Sequence, residues 1–268
     1  MILLKGIEIF NLAGKNALVT GATGYLGTEM VIALAEAGAN VLVNSRSEVK
    51  CKELVQKLTV AGYKAEAAVF DVTDQHAITE FFSTRLEMPL HILINNAYSG
   101  GSGSIEISTA EPYLQSYNHT VIAAHNLLIS ALPYLRKALQ QTGDVSIINL
   151  ASMYAMVSSD QRIYDSSFSV NPPFYAAAKA ALLQWTRYAA CEFGCEGIRV
   201  NSISPGPFPS TEVQDINPEF IFKLVNKIPL GRIGMANEIK GPILFLASSA
   251  STFVNGSNIV VDGGWTSW

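Results

Sequence analysis

Short apolar runs alternate with longer amphipathic stretches from one end of the chain to the other. The apolar runs are four to six residues long, which is typical of buried strands. The predicted strands are Asn16–Thr20, Asn40–Asn44, Ala65–Phe70, His91–Asn95, Val145–Leu150, Arg199–Ile203 and Asn258–Val261. The predicted helices are Tyr25–Ala37, Glu48–Ala61, Asp74–Leu86, Leu114–Gln141, Phe174–Phe193 and Ala236–Ser248. This β-α-β alternation predicts an α/β protein, a doubly wound parallel sheet of about seven strands with helices on both faces.

Two loops interrupt the alternation. The chain has 268 residues and shows no repeat and no linker, so we expect a single domain over residues 1–268. The Gly/Ser-rich segment Ser99–Ser104 is expected to be mobile, and the long polar segment Met153–Phe174 ends in Pro172-Pro173. Both follow the C-terminal ends of strands, where open α/β sheets bind ligands.

Composition and charge narrow the class of protein. The chain is 49% apolar with a mean hydropathy of +0.25, as expected for a globular protein. With 22 acidic and 18 basic residues and no block of like charge, it lacks the basic footprint of a nucleic-acid-binding protein. No apolar run approaches the roughly 18 residues of a membrane span. The opening residues Met1–Lys5 are too short for a secretory signal, so we expect a cytoplasmic protein.

The cysteines give no indication of a metal or a disulfide. An odd count of three, Cys51, Cys191 and Cys195, is typical of a reducing compartment. Cys191 and Cys195 share a helix face, but no second His/Cys pair lies near them in sequence. We expect small buried thiols and no metal site.

A glycine turn follows the first predicted strand. Gly21-Ala-Thr-Gly24-Tyr-Leu-Gly27 connects that strand to a helix, where glycines allow the backbone to approach a pyrophosphate and the helix N-terminus offers free N–H groups. The second strand ends in Ser45-Arg46 in place of the carboxylate that would bind the ribose of NAD. Because Arg46 can bind a 2′-phosphate, the sequence predicts NADP(H) as the preferred cofactor, with NAD(H) possible. A turn without a ligand and a solvated arginine are the alternatives.

A tyrosine and a lysine lie four residues apart in the predicted helix Phe174–Phe193. Tyr175 and Lys179 therefore share one helix face. A phenol has a pKa of about 10, and a nearby ammonium is expected to lower it. The pair thus predicts a proton donor and acceptor for a carbonyl/alcohol couple.

Together with other motifs, these residues give the whole chain a resemblance to the short-chain dehydrogenase/reductase family, in its compact Rossmann-like branch. The motifs that carry the resemblance are Gly21/Gly24/Gly27, Asp71-Val72, Asn95-Asn96-Ala97, Asn118, Ser152, Tyr175, Lys179, Pro205-Gly206 and Asp262-Gly263-Gly264, in this order. Any one of them is modest evidence, whereas the ordered set is specific.

The resemblance implies a reaction and a role for each site residue. It implies hydride transfer between nicotinamide and a carbonyl or secondary alcohol, with Tyr175 moving the proton and Lys179 binding the nicotinamide ribose. Ser152 would hold the substrate oxygen and Asn118 a water linked to Lys179. The implied cofactor-binding residues are Gly21, Thr23, Gly24, Tyr25, Leu26, Gly27, Ser45, Arg46, Asp71, Val72, Asn95, Ala97, Tyr175, Lys179, Pro205 and Gly206. A homodimer or homotetramer is also implied, paired through Leu114–Gln141 and Phe174–Phe193.

The chain departs from the pattern of the compact branch at three points. The glycine spacing is similar to that of the extended branch, which acts on nucleotide sugars, but the 62 residues after Gly206 are too few for the substrate lobe of that branch. Tyr98 replaces the glycine after Asn-Asn-Ala. Ser152 and Tyr175 are 23 positions apart, more than in most of the family. Tyr164 is nearer to Ser152 but has Phe168, not lysine, four residues later, so Tyr175 remains the candidate.

The substrate is expected to be a small molecule rich in hydroxyl groups. The residues inserted between Ser152 and Tyr175 are mostly polar, and this insert resembles those of family members linked to surface-saccharide synthesis. We therefore expect a sugar, a polyol or a sugar phosphate, with Arg162 as an anion anchor. The alternatives are a solvated lid over the site, a general carbonyl or 3-oxoacyl reductase, and a non-catalytic NADP(H) sensor.

Overall fold

The expected α/β class is confirmed by a single seven-stranded sheet. A computed structural model describes residues 6–268, with Arg85 described by its backbone alone; the opening residues 1–5, considered above as a signal, lie outside the described residues. The strands are β1 Asn16–Val19, β2 Asn40–Ser45, β3 Ala65–Val69, β4 Ile92–Asn95, β5 Val145–Leu150, β6 Ile198–Pro205 and β7 Asn258–Val261. All paired strands are parallel, in the order β3-β2-β1-β4-β5-β6-β7.

The strand predictions agree with the structure to within a few residues, and the helix predictions differ more. The α-helices are α1 Tyr25–Glu36, α2 Glu48–Val60, α3 Gln75–Glu80, α4 Ala110–Tyr117, α5 Ala123–Thr142, α6 Pro173–Phe193, α7 Thr211–Ile216, α8 Pro218–Val225 and α9 Lys240–Ala247. The predicted helix Asp74–Leu86 is α-helical only to Glu80, and a π-helical turn follows it. The predicted helix Leu114–Gln141 begins earlier, at Ala110, and a second π-helical turn, Asn118–Ile122, separates α4 from α5.

Helices α7 and α8 were not predicted. They are short, but each has a recognisable N-cap in the sequence. The Ser210 hydroxyl accepts a hydrogen bond from the Val213 N–H at 3.4 Å, and Asn217 Oδ1 accepts one from the Phe220 N–H at 3.0 Å. Pro218 occupies the first turn of α8, a position that suits its fixed φ and its missing N–H.

The core lies on both faces of the sheet because each buried strand presents alternate side chains to opposite sides. Val41 and Val43 of β2 pack in the cluster formed with α1, α2 and α9, whereas Leu42 packs in the cluster formed with α3, α5 and α6. Cys51 is buried in the first cluster, as expected. The same expectation is wrong for Cys191 and Cys195, which are exposed because they lie on the solvent side of α6 and of the turn after it.

The insert between Ser152 and Tyr175 forms a small core of its own with α8. Tyr154 and Ile163 pack with Leu224 and Trp265, and Asp160 forms an ion pair with Lys227. The segment Ser99–Ser104, expected to be mobile, is hydrogen-bonded to the insert through three of its residues. Within residues 6–268, none of the helices has the length and the apolar character needed to cross a membrane.

Candidate active site

Two adjoining cavities open at the C-terminal edge of the sheet. The larger one, the glycine-turn cleft, has a volume of about 640 Å³ and lies beside the point where the strand order reverses, between β1 and β4. The smaller one, the tyrosine cavity, has a volume of about 350 Å³ and is named for Tyr98, Tyr154, Tyr164 and Tyr175 in its wall. Leu26, Asn96 and Tyr98 line both, so the two cavities meet.

Most of the predicted cofactor residues line the glycine-turn cleft. They are Gly21, Thr23, Gly24, Tyr25, Leu26, Gly27, Ser45, Arg46, Asp71, Val72 and Ala97. Tyr175, Lys179, Pro205 and Gly206 line the tyrosine cavity instead. Asn95 lines neither of the two: it is buried, and its Nδ2 donates to Asn149 Oδ1 at 2.8 Å, which links β4 to β5.

The glycines of the turn are required by close packing. Gly21 has a φ of +60°, and a Cβ there would lie 2.8 Å from the Ala97 Cα. A Cβ on Gly27 would lie 2.2 Å from the Gly21 carbonyl oxygen, so α1 packs directly on the turn. Gly24 precedes α1 without a side-chain cap, which leaves the N–H groups of the first turn free to bind an anion.

The far end of the cleft carries cations next to a structural carboxylate. Arg46 Nη1 lies 3.7 Å from Asp71 Oδ2, and Lys50, which is not among the predicted cofactor residues, also lines the cleft. Burial alone would raise the pKa of Asp71, but hydrogen bonds from the Thr73 N–H and hydroxyl, with Arg46 and His119 nearby, lower it. Asp71 is therefore ionised, and Arg46 keeps most of its surface open to solvent.

The predicted catalytic residues converge on the tyrosine cavity, except for Asn118. Ser152 follows β5, and Tyr175 and Lys179 lie on successive turns of α6. Asn118 is half-buried at the start of the second π-helical turn and lines neither cavity; its neighbour His119 lines the cleft. Its role in holding a water stays a prediction.

The expectation that Lys179 lowers the pKa of Tyr175 is wrong for this state of the protein. Burial raises the pKa of the Tyr175 phenol, an effect that the Ser152 hydroxyl only partly offsets. Burial also lowers the pKa of Lys179 to about 7, and its Nζ donates to the Leu150 carbonyl at 2.5 Å. Desolvation therefore dominates the pKa of the phenol, and a lysine that is only partly charged at neutral pH does not reverse it.

The insert supplies hydroxyl groups to the cavity but not the predicted anion anchor. The hydroxyls of Tyr154 and Tyr164 lie 3.0 Å apart, and Asn171 Nδ2 donates to Ser159 Oγ at 3.2 Å. Arg162 lies outside the cavity lining, is largely exposed, and binds Asp160 through Nε and Nη2 at 2.9 and 2.7 Å. The sequence placed Arg162 in the right loop, but the side chain is directed to solvent and pairs with Asp160, which also binds Lys227.

Besides Lys50, two residues of the site were missed as functional candidates. Tyr154 follows Ser152 by two positions and lines the cavity together with Tyr175. Tyr98 was noticed only as a replaced glycine, yet it lies in the wall between the two cavities. The available signal was a bulky side chain directly after the Asn-Asn-Ala motif at the end of β4.

Fold and site together define an α/β oxidoreductase whose glycine turn meets a Ser-Tyr-Lys cavity. A family model described as enoyl-(acyl carrier protein) reductase matches residues 21–266. The chain belongs to the short-chain dehydrogenase/reductase family, whose members act on alcohol or carbonyl groups.

Relatives match the chain over nearly its whole length. A 2-dehydro-3-deoxy-D-gluconate 5-dehydrogenase of Dickeya dadantii is 32% identical over 97% of this chain and 98% of its own. A gluconate 5-dehydrogenase of Gluconobacter oxydans is 32% identical over 97% of both chains. The solved structure of a gluconate 5-dehydrogenase from Burkholderia cenocepacia, in complex with NADP and tartrate, is 28% identical with a TM-score of 0.85, over 98% of this chain and 100% of its own.

Proposed function

We propose that the chain is an NADP(H)-dependent oxidoreductase that interconverts a ketone and a secondary alcohol of a sugar, a sugar acid or a polyol. One observation carries the proposal: Ser152, Tyr175 and Lys179 converge in the tyrosine cavity where it adjoins the glycine-turn cleft. When bound, the dinucleotide supplies or accepts the hydride. Gluconate dehydrogenases among the relatives support a hydroxyl-rich substrate.

The cleft fits an NADP-type dinucleotide. The uncapped N-terminus of α1 and the close-packed glycines suit a pyrophosphate, because no side chain separates it from the backbone N–H groups. Ser45 places no carboxylate at the end of β2, and Arg46 and Lys50 supply two cations there. This charge pattern favours a 2′-phosphate over a free ribose hydroxyl.

The proton chemistry follows from burial. Because the pKa of Tyr175 is raised, its phenol is protonated at neutral pH and can donate to the carbonyl oxygen as the carbonyl carbon accepts hydride. Ser152 would hold the same oxygen by a hydrogen bond and so fix its direction. In the reverse direction Tyr175 must first lose its proton, and the resulting phenolate accepts the proton of the alcohol as the carbon gives up hydride.

The hydroxyl pair of Tyr154 and Tyr164 supports a substrate with several hydroxyl groups. Both phenols have a raised pKa because they are buried, so each is neutral and can donate and accept hydrogen bonds. A second candidate, a general ketone reductase, is favoured by the apolar residues Phe208, Phe220 and Leu224 on the same cavity wall.

The test is NADPH oxidation, with NADH in parallel, across keto-sugars, keto-sugar acids, sugar phosphates, apolar diketones and oxoacyl thioesters. We expect the highest kcat/KM with NADPH and a keto-sugar or keto-sugar acid. Faster turnover of apolar ketones would favour the general reductase. Dinucleotide binding with no turnover of any carbonyl would contradict the proposal and favour a sensor.

We also expect a homodimer or homotetramer. Leu114 and Tyr117 of α4, Ile129 of α5 and Tyr188 of α6 are exposed apolar side chains on the helices through which family resemblance predicts pairing. Light scattering during size-exclusion chromatography measures the mass directly, and a monomer at micromolar concentration would contradict this expectation.

A further inference from the structure

Tyr98 stands at an unusual place in the site. It follows the Asn-Asn-Ala motif at the end of β4, where the sequence departs from its family by carrying a bulky residue in place of glycine. Its half-buried side chain lines the glycine-turn cleft and the tyrosine cavity. Nothing in the proton chemistry described above uses it.

The rest of the chain is shaped to hold this ring in one place. The Tyr98 hydroxyl lies 3.0 Å from Ser116 Oγ, which is buried in α4. A Cβ on Gly100 would lie 2.3 Å from the same hydroxyl oxygen and 2.8 Å from ring carbons. Glycine two residues later therefore provides the space that the phenol occupies, and Ser116 fixes its outer end.

The inner part of the ring lies against two predicted catalytic residues, Tyr175 and Lys179. The Tyr98 and Tyr175 rings meet edge to face, with centroids 4.9 Å apart and planes inclined by 72°. Lys179 Nζ lies 5.4 Å from the centroid of the Tyr98 ring, compared with 5.7 Å from that of Tyr175. Edge-to-face geometry favours one orientation of the phenol, and a ring face attracts an ammonium.

We propose that Tyr98 is a positioning residue, whose ring fixes the direction of the Tyr175 phenol and of the Lys179 amine from the wall shared by the two cavities. The ring acts on both groups, and the hydroxyl only anchors the ring to Ser116. This inference rests on the proposed function wherever its test uses catalytic activity. Proton transfer requires the phenol at hydrogen-bond distance from the carbonyl oxygen, so a small displacement lowers the rate.

Three variants separate the ring from its hydroxyl and from general packing. Tyr98→Leu removes the ring, and Tyr98→Phe keeps the ring while removing the bond to Ser116. Tyr113→Leu is the matched control: Tyr113 also makes an edge contact with α6, at 5.8 Å from Phe174, but lines neither cavity.

We expect Tyr98→Leu to lower kcat by about tenfold or more with a smaller change in the KM of the carbonyl, because positioning is lost in the reacting state. Tyr98→Phe should restore kcat to within about threefold of the wild type, as loss of one hydrogen bond to an anchor is a small effect. The proposal would be overturned if kcat fell equally in Tyr98→Leu and Tyr98→Phe, or equally in Tyr98→Leu and Tyr113→Leu. An unchanged kcat in Tyr98→Leu would also overturn it.

A second readout does not depend on turnover and so separates failure of this inference from failure of the proposed function. The titratable groups around the Tyr175 phenol are Tyr98, Lys179 and Tyr154. The ionisation of Tyr175 is isolated as the near-ultraviolet titration difference between each protein and its Tyr175→Phe counterpart. Tyr98→Leu should admit water and lower the pKa of Tyr175. Tyr98→Phe should lower it less, because only the charge of the Tyr98 phenolate is lost, and Tyr113→Leu should leave it unchanged. An unchanged titration in Tyr98→Leu would overturn the proposal even if no carbonyl is turned over.

Discussion

The glycine-turn cleft and the tyrosine cavity share three lining residues but are built from different parts of the chain. The cleft has backbone at its centre, the turn after β1, where Gly21 and Gly27 leave no space for an added atom, and the cations Arg46 and Lys50 at its far end. The cavity is formed by side chains of the insert, α6 and α8. A backbone site binds the part of a ligand that is the same in every reaction. A side-chain site can change its substrate by substitution, so the two regions should respond differently to mutation.

The largest expected effect separates chemistry from binding in the cavity. Tyr175→Phe removes the proton donor and should lower kcat by about 10²–10⁴-fold. The dissociation constant for NADPH should remain close to that of the wild type, because the glycine-turn cleft is untouched. Steady-state kinetics and a fluorescence titration measure the two quantities. Wild-type turnover in this variant would remove Tyr175 from the mechanism.

A substitution in the glycine-turn cleft should instead weaken the binding of NADPH. Gly27→Ala places a Cβ where the Gly21 carbonyl oxygen lies, so the turn and α1 must separate. We expect weaker NADPH binding by about tenfold or more, with a loss of stability of about 1–3 kcal/mol from overpacking. Gly241→Ala is the matched control, because Gly241 also lies in the first turn of a helix, α9, and nothing lies within 4 Å of its Cβ position. Equal NADPH affinities in Gly27→Ala and the wild type would show that the cleft tolerates the displacement.

The sequence predicted these two regions unequally, for a physical reason. The sheet and the glycine turn follow from local patterns: apolar runs, glycines and strand order. The pKa of Tyr175 does not, because it depends on how Tyr98, Ser152 and the insert pack around the phenol in three dimensions. Arg162 was misassigned because the course of the insert decides which way its side chain faces, although its partner Asp160 lies only two residues away in sequence. Tyr98 could be seen in the sequence, but its contacts could not.

Because Lys179 is buried, we expect the free energy of unfolding to depend on pH. Its pKa is lowered from 10.5 to about 7, so between these pH values the unfolded chain binds a proton that the folded chain does not. The free energy of unfolding should therefore rise with pH in this window, by up to about 1.4 kcal/mol per pH unit, and the destabilisation is complete below pH 7. Lys179→Met, without a titrating group, should lose this rise. Denaturant titrations of both proteins from pH 7 to about 9.5 test it, and parallel curves would contradict the burial effect.

The cation at the rim of the cleft should affect cofactor choice and nothing in the cavity. Arg46→Ala removes a side chain that can bind a 2′-phosphate, so the KM for NADPH should rise about tenfold while that for NADH changes little. Arg162→Ala is the matched control, since that arginine is exposed, paired with Asp160 and outside both cavities. If the KM for NADPH is the same in Arg46→Ala as in Arg162→Ala, Arg46 is a solvated loop residue.

The smallest expected effect tests whether the tyrosine cavity recognises individual hydroxyl groups of the substrate. Tyr164→Phe removes one member of the hydroxyl pair with Tyr154 and leaves the ring, which packs against Phe220, in place. Losing one neutral hydrogen bond should raise the KM of a hydroxyl-rich substrate by about 2–10-fold and leave the KM of an apolar ketone and of NADPH unchanged. The ratio of the two carbonyl KM values is the sensitive quantity, because any general loosening of the insert raises both together. A constant ratio would place the Tyr154–Tyr164 pair in the packing of the insert, and substrate selection would then belong to the apolar wall formed by Phe208, Phe220 and Leu224.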